Sequence, residues 1–149
     1  CVIIEDTQEL HTGSESNVSL LTQTHFIDNS NDITMDILLK RALRLRPDRI
    51  VVGEIRGGEA TQLLMALSTG HDGSFGSLHA RSAHEAILRM EMLIQVGAPQ
   101  WSLQSIRRLI GLTLKYIFVM EKKKGCRQLE GIYKITSVED NGITLMKID

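Results

Sequence analysis

Apolar and polar positions follow different patterns in two parts of this chain. Through about residue 120, short β-branched runs alternate with stretches whose apolar residues recur every third or fourth position. The first pattern is typical of buried strands and the second of amphipathic helices, and their alternation favours a parallel α/β sheet. Beyond that point, residues 127–137 alternate residue by residue, and Asn141-Gly142 is a hairpin turn signal. We therefore predict an α/β domain over residues 1–120 and a small antiparallel β extension over residues 121–149.

Proline and glycine set several bounds of the predicted elements. Pro47 ends the first helix because proline disfavours helical backbone at the residue before it. Gly70 and Gly97 end the next two helices, and residues 29–32 and 122–125 supply turns. The predicted strands cover residues 1–5, 18–27, 49–54, 74–80, 112–120, 127–137 and 143–148, and the predicted helices cover residues 33–46, 59–68, 84–96 and 102–110.

The stretch 49–59, Arg-Ile-Val-Val-Gly-Glu-Ile-Arg-Gly-Gly-Glu, is the most informative in the chain. A continuous apolar run bounded by turn residues is typical of a strand buried on both faces of a parallel sheet. Glu54 lies at the carboxyl end of that strand, where open α/β sheets bind ligands. This is the form of a Walker B strand, which places a carboxylate near the metal and the attacking water of a nucleotide. The alternative is a strand end capped by a solvated acid.

Two further clusters suit the same chemistry. Glu5, Asp6 and Glu9 lie at the end of the first predicted strand, and carboxylates at the carboxyl edge of a sheet can hold Mg²⁺ directly or through water. The alternative is a solvated polar loop. His71 and His79 flank a glycine-rich turn and a short strand, and histidine can hydrogen-bond a phosphate oxygen. The alternative that remains open is a pair of structural histidines. A zinc site is disfavoured, because no third ligand stands at a tight spacing.

Composition excludes some functions and leaves others open. The length of 149 residues and 42% apolar content suit a domain with a real core. A net charge of -1 gives no global argument for binding nucleic acid or an anionic membrane, and no apolar run is as long as a membrane span. The cysteines, Cys1 and Cys126, have no metal-like spacing and suit a reducing cytosol.

An expected partner of the Walker B strand does not occur in this sequence. The phosphate loop, Gly-x-x-x-x-Gly-Lys-Ser/Thr, is found nowhere in the 149 residues. The chain also begins at Cys1 rather than at a methionine and enters a strand at once. We therefore expect a part of a longer ATPase, and we expect the missing loop strand to leave unpaired edges on inner strands of the sheet.

The order of these motifs resembles that of the secretion ATPase superfamily of type II and type IV systems. Residues 4–10 resemble its Asp box, residues 50–54 its Walker B strand and residues 69–79 its His box. The sequence Glu-Asp-Thr-x-Glu-Leu at residues 5–10 resembles the Asp box of the conjugation and tight-adherence pilus branch. The stretch 46–60 also resembles that branch. The resemblance covers nearly the whole chain, and three linked motifs in order are far more specific than any one.

The resemblance implies an incomplete RecA-like parallel sheet motor domain with ATP and Mg²⁺ as ligands. It assigns the catalytic Walker B role to Glu54 and the placing of Mg²⁺ and water to Glu9, with Glu5 and Asp6 nearby. The histidine pair of the His box would be His71 and His79, with His79 expected to approach the phosphates. Three arginines are candidates for charge sensing or inter-subunit contacts, with solvated charges as an equal alternative; they are Arg41, Arg44 and Arg56.

The same resemblance implies the setting of the intact protein. It would be a cytoplasmic homo-hexamer at the inner face of the membrane, with an inner-membrane platform protein as partner and no direct nucleic-acid binding. The fragment itself is expected to be inactive, because the phosphate loop and the amino-terminal domain of the family are missing. One alternative is a non-catalytic scaffold module. A helicase or recombinase is disfavoured by the His box and by the lack of a basic, aromatic-rich surface.

Overall fold

The structure is a computed structural model that describes residues 1–13, 16–23 and 32–149. Two units divide the chain, Cys1–Leu78 and His79–Asp149, which we call the first and the second unit. None of the helices in these ranges is long and apolar enough to cross a membrane.

A parallel sheet organises the first unit. Its strands are β1 (Val2–Glu5), β2 (Val18–Leu21), β3 (Ile50–Val52) and β4 (Phe75–Gly76), in the spatial order β2-β1-β3-β4. Every adjacent pair is parallel, as predicted, so all four strands end at the same edge. All residues of β1 and β3 are buried, because nearly all of them are β-branched and apolar and both sheet faces are covered.

Two strands are shorter than their patterns predicted. The strand β2 ends at Leu21 rather than at Ile27, which lies outside the described residues, as do residues 29–31 of the predicted turn. The strand β4 contains two residues of the predicted stretch 74–80. Backbone hydrogen bonds continue beyond both strands, from Thr22 to the Glu5 carbonyl and from Ser77 to the Val52 carbonyl.

Helix α1 (Met35–Ala42) begins at Thr34, whose side chain accepts a hydrogen bond from the Ile37 amide. A short 3₁₀ turn over Leu43–Leu45 follows. Arg46 then takes a left-handed conformation with φ of 50°, so the helical stretch ends at Leu45, two residues before Pro47. Helix α2 spans Glu59–Ser68, as predicted.

The second unit contains helices α3 (Ala83–Gly97) and α4 (Leu103–Thr113) and an antiparallel sheet. The strands of this sheet are β5 (Tyr116–Lys123), β6 (Cys126–Glu139) and β7 (Gly142–Lys147), in that order. The predicted strand at 112–120 is β5, which starts four residues later and pairs with β6 along its length. The predicted domain boundary at residue 120 therefore falls inside a strand.

The two hairpin turns differ from the predicted ones by one or two residues. Lys124 and Gly125 have φ angles of 50° and 85° and connect the paired residues Lys123 and Cys126. Two positive φ angles in a two-residue loop match the twist of a hairpin, so Lys122 belongs to β5 rather than to the turn. In the second hairpin Glu139 pairs with Gly142, and the loop is Asp140-Asn141.

The predicted gap inside the parallel sheet is wrong. The strands β2, β1, β3 and β4 form a continuous hydrogen-bonded sheet, so no inner strand of the described chain has an unpaired edge. Among the described residues, the open edges are those of β2 and β4, and Phe75 on β4 is 61% exposed. Exposed strand edges recruit other chains, and the edge of β4 is the one that we expect to do so.

We therefore predict that the isolated chain associates with increasing concentration and that Phe75→Lys weakens this association. A charge on an edge strand opposes edge-to-edge pairing. Static light scattering over a range of concentrations measures the effect. Met92→Lys is the matched control, because Met92 is 69% exposed on α3 and lies on no strand. A wild-type chain that stays monomeric at every concentration would contradict this prediction.

Candidate active site

A cavity of about 350 Å³ opens at the carboxyl edge of the parallel sheet. The ends of β1, β3 and β4 meet there, because parallel strands point in the same direction. Its walls include four acidic side chains and one basic side chain, namely Glu5, Asp6, Glu9, Glu54 and Arg56. The structure thus brings together the two acidic motifs that the sequence analysis identified separately.

Arg56 links the two acidic motifs. Its guanidinium donates one hydrogen bond to Glu54 Oε2 and another to Asp6 Oδ2, the latter at 3.3 Å. The hydrogen bond and the charge of Glu54 raise the pKa of Arg56 above its ordinary value. The side chain of Arg56 is 63% exposed and that of Glu54 is 21% exposed. The arginine therefore neutralises both carboxylates while remaining accessible, a role that the prediction of a sensor or inter-subunit residue did not include.

Glu59 holds the backbone from which Arg56 extends. It is the first residue of α2 and is 9% exposed. Its Oε1 accepts hydrogen bonds from the amides of Arg56 at 2.5 Å and Gly57 at 2.7 Å. A carboxylate at the start of a helix satisfies amides that have no partner within the helix and complements the helix dipole. The sequence analysis assigned Glu59 only to the start of the helix and missed this contact, although an acid in a first helical turn is its usual signal.

Asp6 is held from a second side by Thr22. The Thr22 hydroxyl donates a 2.8 Å hydrogen bond to Asp6 Oδ1, and the Thr22 amide bonds the Glu5 carbonyl at 3.0 Å. Thr22 follows directly after β2, and the strand pairing of β2 with β1 brings it beside Asp6. The sequence pattern had placed Thr22 inside a strand and gave it no role.

Ser77 joins the end of β3 to the residues after β4. Its hydroxyl donates to the Gly53 carbonyl at 2.5 Å, its amide donates to the Val52 carbonyl, and its carbonyl accepts from the Ile55 amide. These three bonds fix the backbone on both sides of Glu54. Ser77 lies within the glycine-rich stretch 69–80, but hydrogen bonds of this kind depend on strand order, which the local pattern does not reveal.

The two predicted histidines belong to different units. The His71 ring donates from Nδ1 to the Ala66 carbonyl at 3.1 Å, at the end of α2. Ser74 accepts from the amide of Ile50, the first residue of β3, so this turn lies at the amino edge of the sheet. His71 therefore lies at the opposite edge of the sheet from Glu54. His79 is an exposed residue three positions after β4 and the first of the second unit.

The other predicted arginines are outside the cavity. Arg41 is exposed near the end of α1, and Arg44 is exposed in the 3₁₀ turn after it. Neither is among the residues that line the cavity at the carboxyl edge. Of the three arginines that the resemblance singled out, only Arg56 contacts the predicted acidic residues.

Comparison with known proteins decides the family. The sequence model described as "Type II/IV secretion system protein" matches residues 1–140. The chain belongs to this family. The chain is similar to the conjugal transfer protein TrbB of Rhizobium radiobacter, with 36% identity over 140 residues that are 94% of this chain and 40% of that protein. The type IV secretion system protein PtlH of Bordetella pertussis is 32% identical over 127 residues, 83% of this chain and 38% of PtlH.

A solved structure of the family confirms the predicted RecA-like motor fold. The VirB11 ATPase of the Brucella suis type IV secretion system, solved with sulphate, matches 89% of this chain and 39% of its own. The TM-score is 0.78 and the sequence identity is 27%. This chain therefore spans about two fifths of the length of these relatives. It combines part of the motor fold, in its parallel sheet, with the predicted antiparallel β extension.

Proposed function

We propose that this chain is the carboxyl-terminal part of an ATPase that couples ATP hydrolysis to macromolecular export in a secretion, conjugation or pilus-assembly system. The observation that carries the proposal is Glu54, held at the carboxyl end of buried β3 in one cavity with Asp6 and Glu9. Family membership supports it, because the VirB11 relative is an ATPase of a type IV secretion system. Residues 1–120 would supply the Asp box, Walker B strand and His box, and residues 121–149 the β extension.

In this proposal the carboxylates have different roles in ATP hydrolysis. Glu54 would orient and polarise the water that attacks the terminal phosphate, and Glu9 and Asp6 would hold the cation directly or through water. Asp6 is held by Thr22 and Arg56, so its position is fixed before a nucleotide arrives. His79 is proposed to approach the phosphates. Before Glu54 can act on water, its Oε2 must be released from the Arg56 guanidinium.

The donor set fits Mg²⁺ in the presence of a nucleotide. The cavity offers several carboxylate oxygens, the ligand type that Mg²⁺ prefers. Within residues 1–13, 16–23 and 32–149, no three His, Cys, Asp or Glu side chains converge into a metal site. Mg²⁺ is usually held by one or two carboxylates together with substrate phosphates, so Asp6 and Glu9 would hold it only jointly with ATP. When bound, Mg²⁺ neutralises charge on the phosphate oxygens.

We predict that the isolated chain does not hydrolyse ATP and is only slightly stabilised by excess Mg-ATP. No phosphate loop occurs in its sequence, and nothing replaces the amide cradle and lysine that hold the phosphates. Phosphate release and a thermal shift assay test this. A ligand at a hundredfold excess over its Kd would add about 2.7 kcal/mol of stability. A stabilisation of that size, with hydrolysis that depends on Glu54, would contradict the prediction.

The full-length protein tests the function itself. If its gene encodes Gly-x-x-x-x-Gly-Lys-Ser/Thr upstream of Cys1, the protein should release phosphate from ATP, and size-exclusion chromatography with light scattering should show a homo-hexamer. Co-purification with an inner-membrane protein would test the proposed platform partner and a peripheral position at the cytoplasmic face. A full-length protein that has the loop but no turnover would favour a non-catalytic scaffold instead.

A further inference from the structure

Glu5 differs from the other acids of the cavity because it is buried. It ends β1 and is 4% exposed, whereas Asp6 and Glu9 after it are exposed. Its Oε1 accepts hydrogen bonds from the amides of Glu9 at 3.2 Å and Leu10 at 3.1 Å. Its Oε2 has no hydrogen-bond partner among the described residues. One oxygen of Glu5 is thus committed to the backbone of its own loop.

These two bonds close a turn around the acidic loop. A carboxylate that accepts from amides four and five residues later fixes the backbone between them, as side-chain acceptors do in capping and turn motifs. The turn carries Asp6 and Glu9 into the cavity. The position of Glu9 therefore depends on Glu5, and a charged acceptor makes these hydrogen bonds stronger than neutral ones.

Gly53 supplies the space that this arrangement needs. A Cβ atom on Gly53 would lie 2.9 Å from Glu5 Cγ, closer than real Cβ contacts, and at an ordinary van der Waals distance of 3.5 Å from Glu5 Cβ. The Gly53 amide also bonds the Ile4 carbonyl at 2.8 Å. The glycine before Glu54 therefore lets Glu5 lie across the end of β3, which couples the geometry of the Walker B strand to that of the acidic loop.

We infer that Glu5 is a positioning residue that sets the turn presenting Glu9. The catalytic readout below rests on the proposed function, whereas the backbone readout does not. The inference changes the role that the resemblance implied for Glu5. It also gives Gly53 a function, which is to keep the cavity side of β3 free for the Glu5 side chain.

Two conservative variants separate position from charge in the full-length protein. Glu5→Gln removes the negative charge but keeps an oxygen that can accept from the Glu9 and Leu10 amides. Glu5→Asp keeps the charge but shortens the side chain by one methylene, so its oxygens no longer reach those amides. We expect Asp to lower kcat by on the order of 10²-fold, for a misplacement of about 1 Å, and Gln to lower it much less. The KM for ATP should stay constant in both variants.

Amide hydrogen exchange measures the turn without any catalytic readout. We expect exchange at Glu9 and Leu10 to accelerate about tenfold in Glu5→Asp, as loss of one hydrogen bond of ordinary strength implies, and to accelerate less in Glu5→Gln, which keeps a weaker, neutral acceptor. Gly53→Ala should accelerate exchange at the same two amides, because its Cβ displaces the Glu5 side chain. This third variant keeps the test decisive if Glu5→Gln folds poorly.

Three outcomes would overturn the inference. In the first, Glu5→Asp is more active than Glu5→Gln, which identifies Glu5 as a charged ligand. In the second, exchange at Glu9 and Leu10 is unchanged in Glu5→Asp. In the third, Gly53→Ala leaves both amides as slow as in the parent. If the full-length protein has no ATPase activity, the proposed function fails, and exchange alone then decides the role of Glu5.

Discussion

Glu54→Gln in the full-length protein should retain ATP binding and lose hydrolysis by a factor on the order of 10²–10⁴, the range of a positioned acid–base group. Glutamine keeps the shape of the side chain and removes the charge that orients and polarises water. The variant also loses the ion pair with Arg56, but that contact is partly exposed and contributes little to stability. Steady-state phosphate release and binding of a fluorescent ATP analogue measure the two effects separately.

The control for this prediction carries the same change of charge elsewhere in the first unit. Asp36→Asn on α1 removes a carboxylate whose partner is the exposed Lys40, and it should leave turnover unchanged. His79→Ala should lower hydrolysis less than Glu54→Gln does. Turnover at the parental rate in Glu54→Gln would show that the Walker B assignment is wrong, whereas an equal loss in Asp36→Asn would point to general destabilisation.

Glu91→Ala should destabilise the second unit by about 3–5 kcal/mol, the cost of breaking a buried ion pair by removing one partner. Arg107 Nε donates to Glu91 Oε1 at 2.9 Å, and the two side chains are 11% and 7% exposed. Arg107 also bonds the carbonyl of Asp140 in the turn between β6 and β7. The pair therefore joins α3, α4 and this turn. Equilibrium unfolding in urea, followed by circular dichroism, measures the loss.

Two further variants show whether burial causes this effect. Glu121→Ala removes the partner of Lys123 on β5, where the lysine is 65% exposed, and an exposed pair of this kind contributes far less to stability than a buried one. The double variant with Glu91→Met and Arg107→Met should recover part of the stability, because it leaves no unpaired buried charge. A loss below about 1 kcal/mol in Glu91→Ala would mean that water reaches Arg107 readily.

The fold could be predicted well where the pattern is local. The continuous apolar run at residues 50–52 is a buried parallel strand, and helix α2 has its predicted bounds. The antiparallel sheet was also predicted, but the bounds of β5 were not. Residues 112 and 113 continue α4 instead, because the apolar stretch 112–120 suits either element and only packing against neighbours selects one.

The sequence by itself determined which chemistry is available. It places acids directly after two β-branched strands and a glycine before Glu54, and parallel strands necessarily bring such ends to the same edge of a sheet. The order of the three motifs was sufficient to predict the family, which the comparisons confirmed. These conclusions depend only on residue types at short spacings, which the local sequence contains.

Only the tertiary structure determined where these residues lie and which of them contact one another. It places Arg56 between two acids, buries Glu5 against its own loop and leaves His71 at the far edge of the sheet. It also joins β2, β1, β3 and β4 without a gap. Such relations depend on strand order and on contacts between residues up to 50 positions apart. No local pattern encodes them, because they arise only when separate elements pack into one sheet.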